Sequence, residues 1–226
     1  MNKEDNFKEK FKEALISTLK VISDDYKVNE NENKNLKSKN FNFLEIDNIK
    51  NKQDYNKIRA ETDSEALKRK FSNNNIYQKN SPSNSSCKLL YNISEKIRYE
   101  VLGTKMLKGI SRNLKNNYSF KILNKKKDHI KSKEDVEIAD AFELYMLKNF
   151  MEIKLDSLSE KTLSYWEKDF NNSFKNHIKY LSSNLENQDS YNSKFSEILQ
   201  NMEIFDSEKN EDEKKTEEEN KQDENN

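Results

Sequence analysis

Glycine and proline are almost missing from this chain, which has only two glycines and one proline among 226 residues. A phosphate-binding loop of the Gly-x-x-x-x-Gly-Lys type needs closely spaced glycines, so the sequence excludes that loop and argues against ATP hydrolysis by this chain. The one cysteine, Cys87, excludes an intrachain disulfide and a cysteine-based metal cage. Because glycine and proline are so rare, we expect each of them to answer a backbone requirement.

Histidines and long apolar runs are also scarce. His129 lies in a lysine-rich stretch and His177 on a predicted helix, and neither belongs to a ligand-spaced set, so we expect structural or solvent roles for both. No apolar run approaches the roughly 18 residues of a membrane span, and the first residues lack the apolar core of a signal peptide. We therefore predict a cytoplasmic protein that itself binds no metal or cofactor.

The composition is close to that of a disordered chain, but it includes enough aromatic residues for a core. Hydrophobic residues make up 32% and charged residues 36%, with a mean hydropathy of −1.18. Twelve Phe and ten Tyr supply large surfaces to bury. The dense Lys and Asn usage is typical of an AT-rich genome, so lysine runs are interpreted first as solvated surface.

Charge is unevenly distributed although the formal net charge is zero. Residues 206–226 contain ten acidic and four basic residues and no apolar one, so we predict a disordered acidic tail. Residues 1–205 are then modestly basic, which gives only weak support for nucleic-acid binding. We predict one helical domain over residues 1–205.

Apolar residues recur at spacings of three and four, which predicts a mainly α fold. A first helix is expected from Asp5, as its N-cap, to Ser23. A weak alternation at 41–46 predicts a short strand that pairs with 26–28 as a β-hairpin. The stripe of the first helix contains Phe7, Phe11, Leu15, Leu19 and Ile22.

Three further predictions concern helix ends. A second helix starts at a cap formed by Thr62 or Asp63, and a third carries Leu90, Ile93, Ile97 and Val101. Gly103 is predicted to end the third helix with positive φ. Ser83, Asn84 or Ser85 caps its start. The remaining predicted helices span about 106–116, about 159–181 and about 190–205, and one more begins at 134. Trp166, in the helix over about 159–181, is expected to be a core anchor.

Glu95, Arg98 and Glu100 are the most suggestive titratable cluster. On a helix, Glu95 and Arg98 are three residues apart and can pair, whereas Glu100 points elsewhere. We interpret the pair first as a salt bridge on the exposed side of the third helix. Partner binding is the main alternative, and catalysis by the three residues is the least favoured.

The region between Arg59 and Leu114 contains a set of signature residues in a fixed order: Asp63, Ala66, Leu67, Glu95, Arg98, Glu100, Gly103, Gly109, Asn113 and Leu114. Phe11-Lys-Glu-Ala14 precedes this set, and Ser81-Pro82 lies within it. Together these residues resemble the N-terminal region of the T subunit of aerobic cobaltochelatase, in which the first motif belongs to the opening helix and the second to a later loop. Ser72 and Tyr77 occupy positions at which family members usually have histidines.

The resemblance implies a complex that inserts cobalt into the corrin ring during cobalamin synthesis. A AAA+ subunit would hydrolyse ATP with magnesium, a large subunit would hold the corrin, and this chain would be a scaffold without catalytic residues. Family members continue into a von Willebrand A-type domain whose Asp-x-Ser-x-Ser motif is missing here, so we expect an N-terminal part of the subunit. The alternatives are a helical interaction module of a low-GC organism with no chelatase role, or a decaying gene remnant.

Overall fold

The computed structural model describes residues 3–26, 49–124, 130–202 and 205. All regular structure in this part of the chain is helical, which confirms the mainly α prediction. Nearly all of the predicted hairpin and the whole predicted tail 206–226 lie outside the described residues, as does His129. The helices are α1 Lys3–Ser23, α2 Lys52–Phe71, α3 Asn74–Asn80, α4 Ser85–Met106, α5 Lys108–Asn124, α6 Ile138–Phe150, α7 Ser157–Ser164, α8 Glu167–Phe174, α9 Ile178–Ser183 and α10 Gln188–Gln200, with a 3₁₀ turn at Lys133–Asp135.

Asparagine side chains begin many of these helices. Asn51 accepts from the Asp54 amide, and the Asp54 carboxylate accepts in return from the Asn51 amide, which forms a capping box at α2. The side chains of Asn73, Asn84 and Asn187 accept backbone amides at the starts of α3, α4 and α10. Each cap satisfies a backbone N–H that has no partner within the helix. The abundant asparagine therefore defines helix starts here, and the prediction of Asn84 among three candidate caps is confirmed.

Several predicted helix ends are wrong. The first helix begins at Lys3 rather than at a cap on Asp5. Thr62 and Asp63 do not cap the second helix, because α2 begins at Lys52 and its N-cap is Asn51. These errors arise because the polar first turns of the two helices contain few apolar residues, and hydrophobic periodicity depends on apolar residues.

The predicted helix over about 159–181 is in fact three short helices, α7, α8 and α9. Its apolar stripe is nevertheless real, since Leu163, Phe170, Phe174 and Leu181 are all buried. Breaks near Trp166 and His177 turn successive segments toward the same core. Trp166 packs against that core, as predicted, and its Nε1 donates to the Val136 carbonyl at 3.2 Å.

Helix α4 lies at the centre of the described structure and contacts α2, α5, α6 and α10. One hydrophobic cluster runs from Leu19 to Phe205 and includes residues of nearly every helix. Its aromatic part surrounds Phe142, whose ring lies 5.3 Å from that of Phe170 and 6.0 Å from that of Phe195 between ring centroids. These large rings bury the area that an otherwise polar chain needs for stability.

Candidate functional site: a buried polar network

Most of the signature residues of α2, α4 and α5 meet inside the fold, whereas Gly109 is exposed. Arg98 is 1% exposed and Glu95 is 4% exposed, and the Arg98 Nε donates to Glu95 Oε2 at 2.8 Å. A second hydrogen bond, which Arg98 Nη2 donates to Glu95 Oε1 at 2.9 Å, makes the pair bidentate. The predicted pairing is confirmed, but its predicted place on the exposed side of the helix is wrong.

The remaining donors of Arg98 connect distant parts of the chain. Its Nη1 donates to the Leu185 carbonyl at 2.7 Å, and its Nη2 donates to the Phe71 carbonyl at 2.6 Å. Phe71 is the last residue of α2, and Leu185 lies between α9 and α10. A single guanidinium therefore holds the end of α2, the middle of α4 and the start of the α10 region together.

Glu95 collects further donors from the same regions. The Ser72 hydroxyl donates to its Oε1 at 2.6 Å, and the Gln188 side-chain amide donates to the same oxygen at 3.0 Å. Gln188 also accepts from the Asn73 amide at 2.7 Å through its own Oε1. Because several donors surround it, the buried carboxylate is fully compensated, which is the condition for burying a charge at moderate cost.

Glu100, 1% exposed, forms a second centre one and a half turns further along α4. Its Oε1 accepts from the Ser64 hydroxyl at 2.5 Å and its Oε2 accepts from the Tyr118 hydroxyl at 2.6 Å. Burial, followed by the negative charge of Glu100, raises the pKa of the Tyr118 hydroxyl well above its ordinary value. Tyr118 therefore remains a donor, and Glu100 links α2, α4 and α5.

Asp63 and Asn113 make the third link, between α2 and α5. The Asn113 amide donates to Asp63 Oδ2 at 2.7 Å. Asp63 is 2% exposed, and this burial raises its pKa, with the Asn113 bond and the charge of Arg59 acting in the opposite direction. Asp63 is thus a mid-helix polar contact rather than the predicted helix cap.

The apolar signature residues mark a close helix approach. Ala66 and Leu67 are both fully buried. Gly103 lies within the continuous helix α4 and does not have positive φ, so its predicted role as a C-terminal cap is wrong. It faces Leu67 instead, and an added Cβ would lie 2.9 Å from Leu67 Cγ. Gly109 is exposed, and an added Cβ would meet nothing within 4 Å, so no backbone requirement explains it.

Two adjoining cavities lie over this network, one lined by residues of α2, α4 and α5 and the other by residues in or next to α2, α3 and α4. One, of about 340 Å³, has Ser64, Glu100 and Tyr118 in its lining. The other, of about 500 Å³, is lined by Ser72, Tyr77, Glu95 and neighbouring side chains. Lys68, Lys96 and Tyr99 line both cavities, so the two form one groove, called the signature groove below.

Within the described ranges, no group of three His, Cys, Asp or Glu side chains is placed to hold a metal ion. His177 is half-buried and lines a separate cavity of about 250 Å³ with Asp169 and Glu197. Asp169 forms an ion pair with Lys133, and Glu197 forms an ion pair with Lys194. None of the described helices is both long and apolar enough to cross a membrane.

Sequence reasoning missed half of the network. Ser64, Ser72, Tyr118 and Gln188 carry no local signal, because each is a common polar residue on an ordinary helical segment. Gln188 lies 93 residues from Glu95. Only the folded topology brings such residues together. The helical spacing of α4 predicts that Glu95 and Arg98 are neighbours, but it cannot predict which residues of other helices contact them.

The sequence model of the family "Cobalamin biosynthesis protein CobT" matches residues 5–226. The match includes all of the signature residues and nearly the whole chain. No solved structure matches the chain.

Proposed function

Because this chain belongs to the CobT family of cobalamin biosynthesis proteins, we propose that it is a non-catalytic adaptor subunit of cobaltochelatase. The family match supports a place in cobalamin biosynthesis and in a complex with other subunits. The adaptor role is our extension of that assignment. We place its action in the cytoplasm.

The observation that carries the adaptor role is that groups of this chain already occupy the hydrogen-bonding positions of the signature side chains Arg98 and Glu100. Arg98 uses its donors on Glu95 and two carbonyls, and both Glu100 oxygens accept hydroxyl donors. A catalytic acid, base or nucleophile needs a free group directed at a substrate. These residues instead join α2, α4, α5 and the α10 region, as expected of a rigid platform that presents a surface.

The chemistry of the complex is then assigned to other subunits. We propose that a AAA+ subunit binds ATP and magnesium and hydrolyses the nucleotide, and that a large subunit holds the corrin. Cobalt is the substrate ion. The adaptor would bind the AAA+ subunit through exposed side chains, since Glu95, Arg98 and Glu100 are too buried to reach a partner.

Co-purification tests this proposal. The tagged chain is co-expressed with the AAA+ and large subunits of the same organism, and we expect the AAA+ subunit to be retained on the affinity resin. The purified chain alone is expected to show no ATP turnover and no cobalt insertion. An Arg98→Glu variant serves as a control, because loss of the fold should also abolish retention.

Two results would contradict the proposal. Turnover of ATP by the purified chain would remove the adaptor assignment. Failure of the folded wild-type chain to retain the AAA+ subunit, at concentrations where the chain is shown to be folded by circular dichroism, would remove the assigned partner.

A further inference from the structure

Helix α5 and the residues on either side of it contain no acidic side chain. Between Glu100 and Asp128 the sequence has eight basic residues and no Asp or Glu. Arg112 is exposed, as is Lys108 one turn before it, and Lys115 is partly exposed. Because positions three and four apart lie on the same side of a helix, these three cations form one basic surface, called the α5 face below.

The carboxylates of the signature groove lie on the opposite side of α5. Arg112 and Lys121 are nine positions apart, which is a rotation of about 180° around the helix axis. The carboxylates that line the groove beside Lys121, or act on its charge, are those of Glu61, Glu65, Glu100 and Glu143. They therefore face the groove side of α5 and not the α5 face.

The other carboxylates of the two helices packed against α5, α2 and α4, are engaged elsewhere. Asp63 is buried and accepts from Asn113. Glu95 is buried against Arg98, and Asp54 belongs to the capping box at the start of α2. Among the residues that the structure describes, no cation of the α5 face forms an ion pair within 4.0 Å. The face is therefore positive without an internal counterion.

The complementary charge is present in the same chain. Residues 206–226, which lie outside the described residues, contain ten acidic and four basic side chains and no apolar one. Only charged and polar contacts can therefore hold this segment on the fold. The segment follows Phe205, which is 3% exposed, so it starts from a fixed point in the core.

The segment is long enough to reach α5. Cys87 near the start of α4 contacts the Leu199 carbonyl near the end of α10, and Glu100 of α4 bonds Tyr118 of α5. The stretch of α4 from Cys87 to Glu100 is about 20 Å long, and crossing one helix adds about 10 Å. A chain that extends from Phe205 to the three glutamates at 217–219 spans up to about 40 Å.

We propose that the acidic residues of 206–226 bind the α5 face of the same chain, with Lys108, Arg112 and Lys115 as the contacts. Exposed ion pairs contribute little individually. A tethered segment, however, has an effective concentration in the millimolar range, so several weak pairs are enough. A nucleic acid would meet the same face only from solution, and the negative charge of the segment would repel its phosphates. The inference does not depend on the chelatase assignment.

Zero-length cross-linking of the full chain tests this contact. A carbodiimide joins a lysine amine to a carboxylate that touches it, and mass spectrometry of the digest identifies each pair. We expect residues 206–226 to be joined to Lys108 and Lys115. The yield should fall as sodium chloride rises from about 50 mM to about 300 mM, because screening increases. A mixture of unlabelled and nitrogen-15-labelled chains shows whether each pair forms within one chain.

Two exposed lysines provide an internal control for proximity. Lys175 and Lys179 flank His177, which lines one cavity with Met202. Met202 comes shortly before the acidic segment in the chain, so these lysines lie near the point from which the segment starts. Random encounters would favour cross-links to them, whereas electrostatic attraction favours the lysines of the α5 face.

A variant that keeps both reporter lysines measures the attraction. Arg112→Gln removes one exposed charge between Lys108 and Lys115 and should lower the cross-link yield at both by about two- to fivefold, as expected for the loss of one exposed ion pair. Lys168→Gln removes the same charge from an exposed position of α8 and should leave the yield unchanged. Circular dichroism of both variants checks that the fold is retained.

Several results would overturn the inference. Cross-links mainly to Lys175 and Lys179 would show that proximity alone decides the contact. A yield that does not respond to salt, or equal yields in Arg112→Gln and Lys168→Gln, would exclude attraction to the α5 face. Pairs that join labelled to unlabelled chains would assign the segment to a second copy. Loss of the cross-links on addition of an equimolar oligothymidylate would make nucleic acid the occupant of this face.

Discussion

Gly103 of α4 lies directly against Leu67 of α2, and no side chain larger than hydrogen fits between them. An added Cβ would lie 2.5 Å from Leu67 Cδ2 and 2.9 Å from its Cγ, and would lie nearer still to Cδ1. Leu67 is fully buried, so its side chain has little room to move away. This close approach allows Ser64 to reach Glu100 from the neighbouring turn of α2.

A Gly103→Ala substitution should therefore destabilise the fold. Alanine is the better helix former by roughly 0.5–1 kcal/mol, but overpacking against Leu67 costs about 1–3 kcal/mol. We expect a net loss of about 1–2 kcal/mol, measured by urea unfolding. Gly109→Ala is the matched control, because nothing lies near its added Cβ, and it should gain about 0.5–1 kcal/mol.

The origin of the Gly103 effect can be checked with a second substitution. In Gly103→Ala/Leu67→Ala, the new methyl group occupies space that the leucine has left, so the two losses should be less than additive. Strict additivity, or a gain in stability from Gly103→Ala alone, would show that the contact with Leu67 does not limit the position.

Arg98 should be among the most sensitive positions of the chain. Arg98→Met leaves Glu95 buried without its positive partner, and breaking such a pair costs about 3–5 kcal/mol. Domains of ordinary stability have about 5–15 kcal/mol in total. Charge reversal by Arg98→Glu should therefore unfold the domain, as followed by thermal melting monitored at 222 nm.

A double substitution tests whether the charge of Glu95 causes this loss. Glu95→Gln added to Arg98→Met removes the unpaired charge, so we expect recovery of at least about 1 kcal/mol. A folded Arg98→Glu variant with wild-type melting temperature would contradict the buried position of the pair.

Asp63 should make the free energy of unfolding depend on pH. Its pKa is raised in the folded state by burial, so its contribution to stability is fully present below its ordinary pKa of 3.8 and is lost as the pH rises through the raised value. Asp63→Asn keeps an acceptor for Asn113 and removes the buried charge. We expect the variant to be more stable than the wild type at pH 7, with a difference that disappears below pH 3.8.

Denaturant unfolding across this pH range measures that difference. A less stable Asp63→Asn variant at pH 7 would mean that the attraction of Arg59 and the bond from Asn113 outweigh burial. The pKa of Asp63 would then be lowered rather than raised.

Glu152 occupies a backbone conformation that favours glycine. It follows α6 with a φ of 55°, and the amides of Met151 and Ile153 on either side both donate to the Leu147 carbonyl. Glu152→Gly should therefore stabilise the fold by roughly 0.5–1 kcal/mol. The same change at Glu160, an exposed position within α7, should cost about 1 kcal/mol. Equal effects at both positions in chemical denaturation would argue against strain at Glu152.

Several parts of the fold were predictable from local patterns. The stripe of α1 was confirmed at Leu15, Leu19 and Ile22, which are buried, whereas Phe7 is 56% exposed. The pairing of Glu95 with Arg98 follows from their spacing on one helix. The surroundings of that pair do not, because Leu185 and Gln188 belong to a region that local periodicity cannot connect with α4.

The amino-acid sequence by itself determined the helical class, the apolar faces and the family, since these depend on periodicity and on residues in a set order. Tertiary structure alone decided whether a polar side chain is exposed or buried, because that depends on which helix covers it. It also decided why Gly103 is glycine: the reason is the Leu67 side chain 36 positions earlier in the chain and not the backbone angle of Gly103 itself. Side-chain spacing within one helix cannot show which side chains of another helix pack against it.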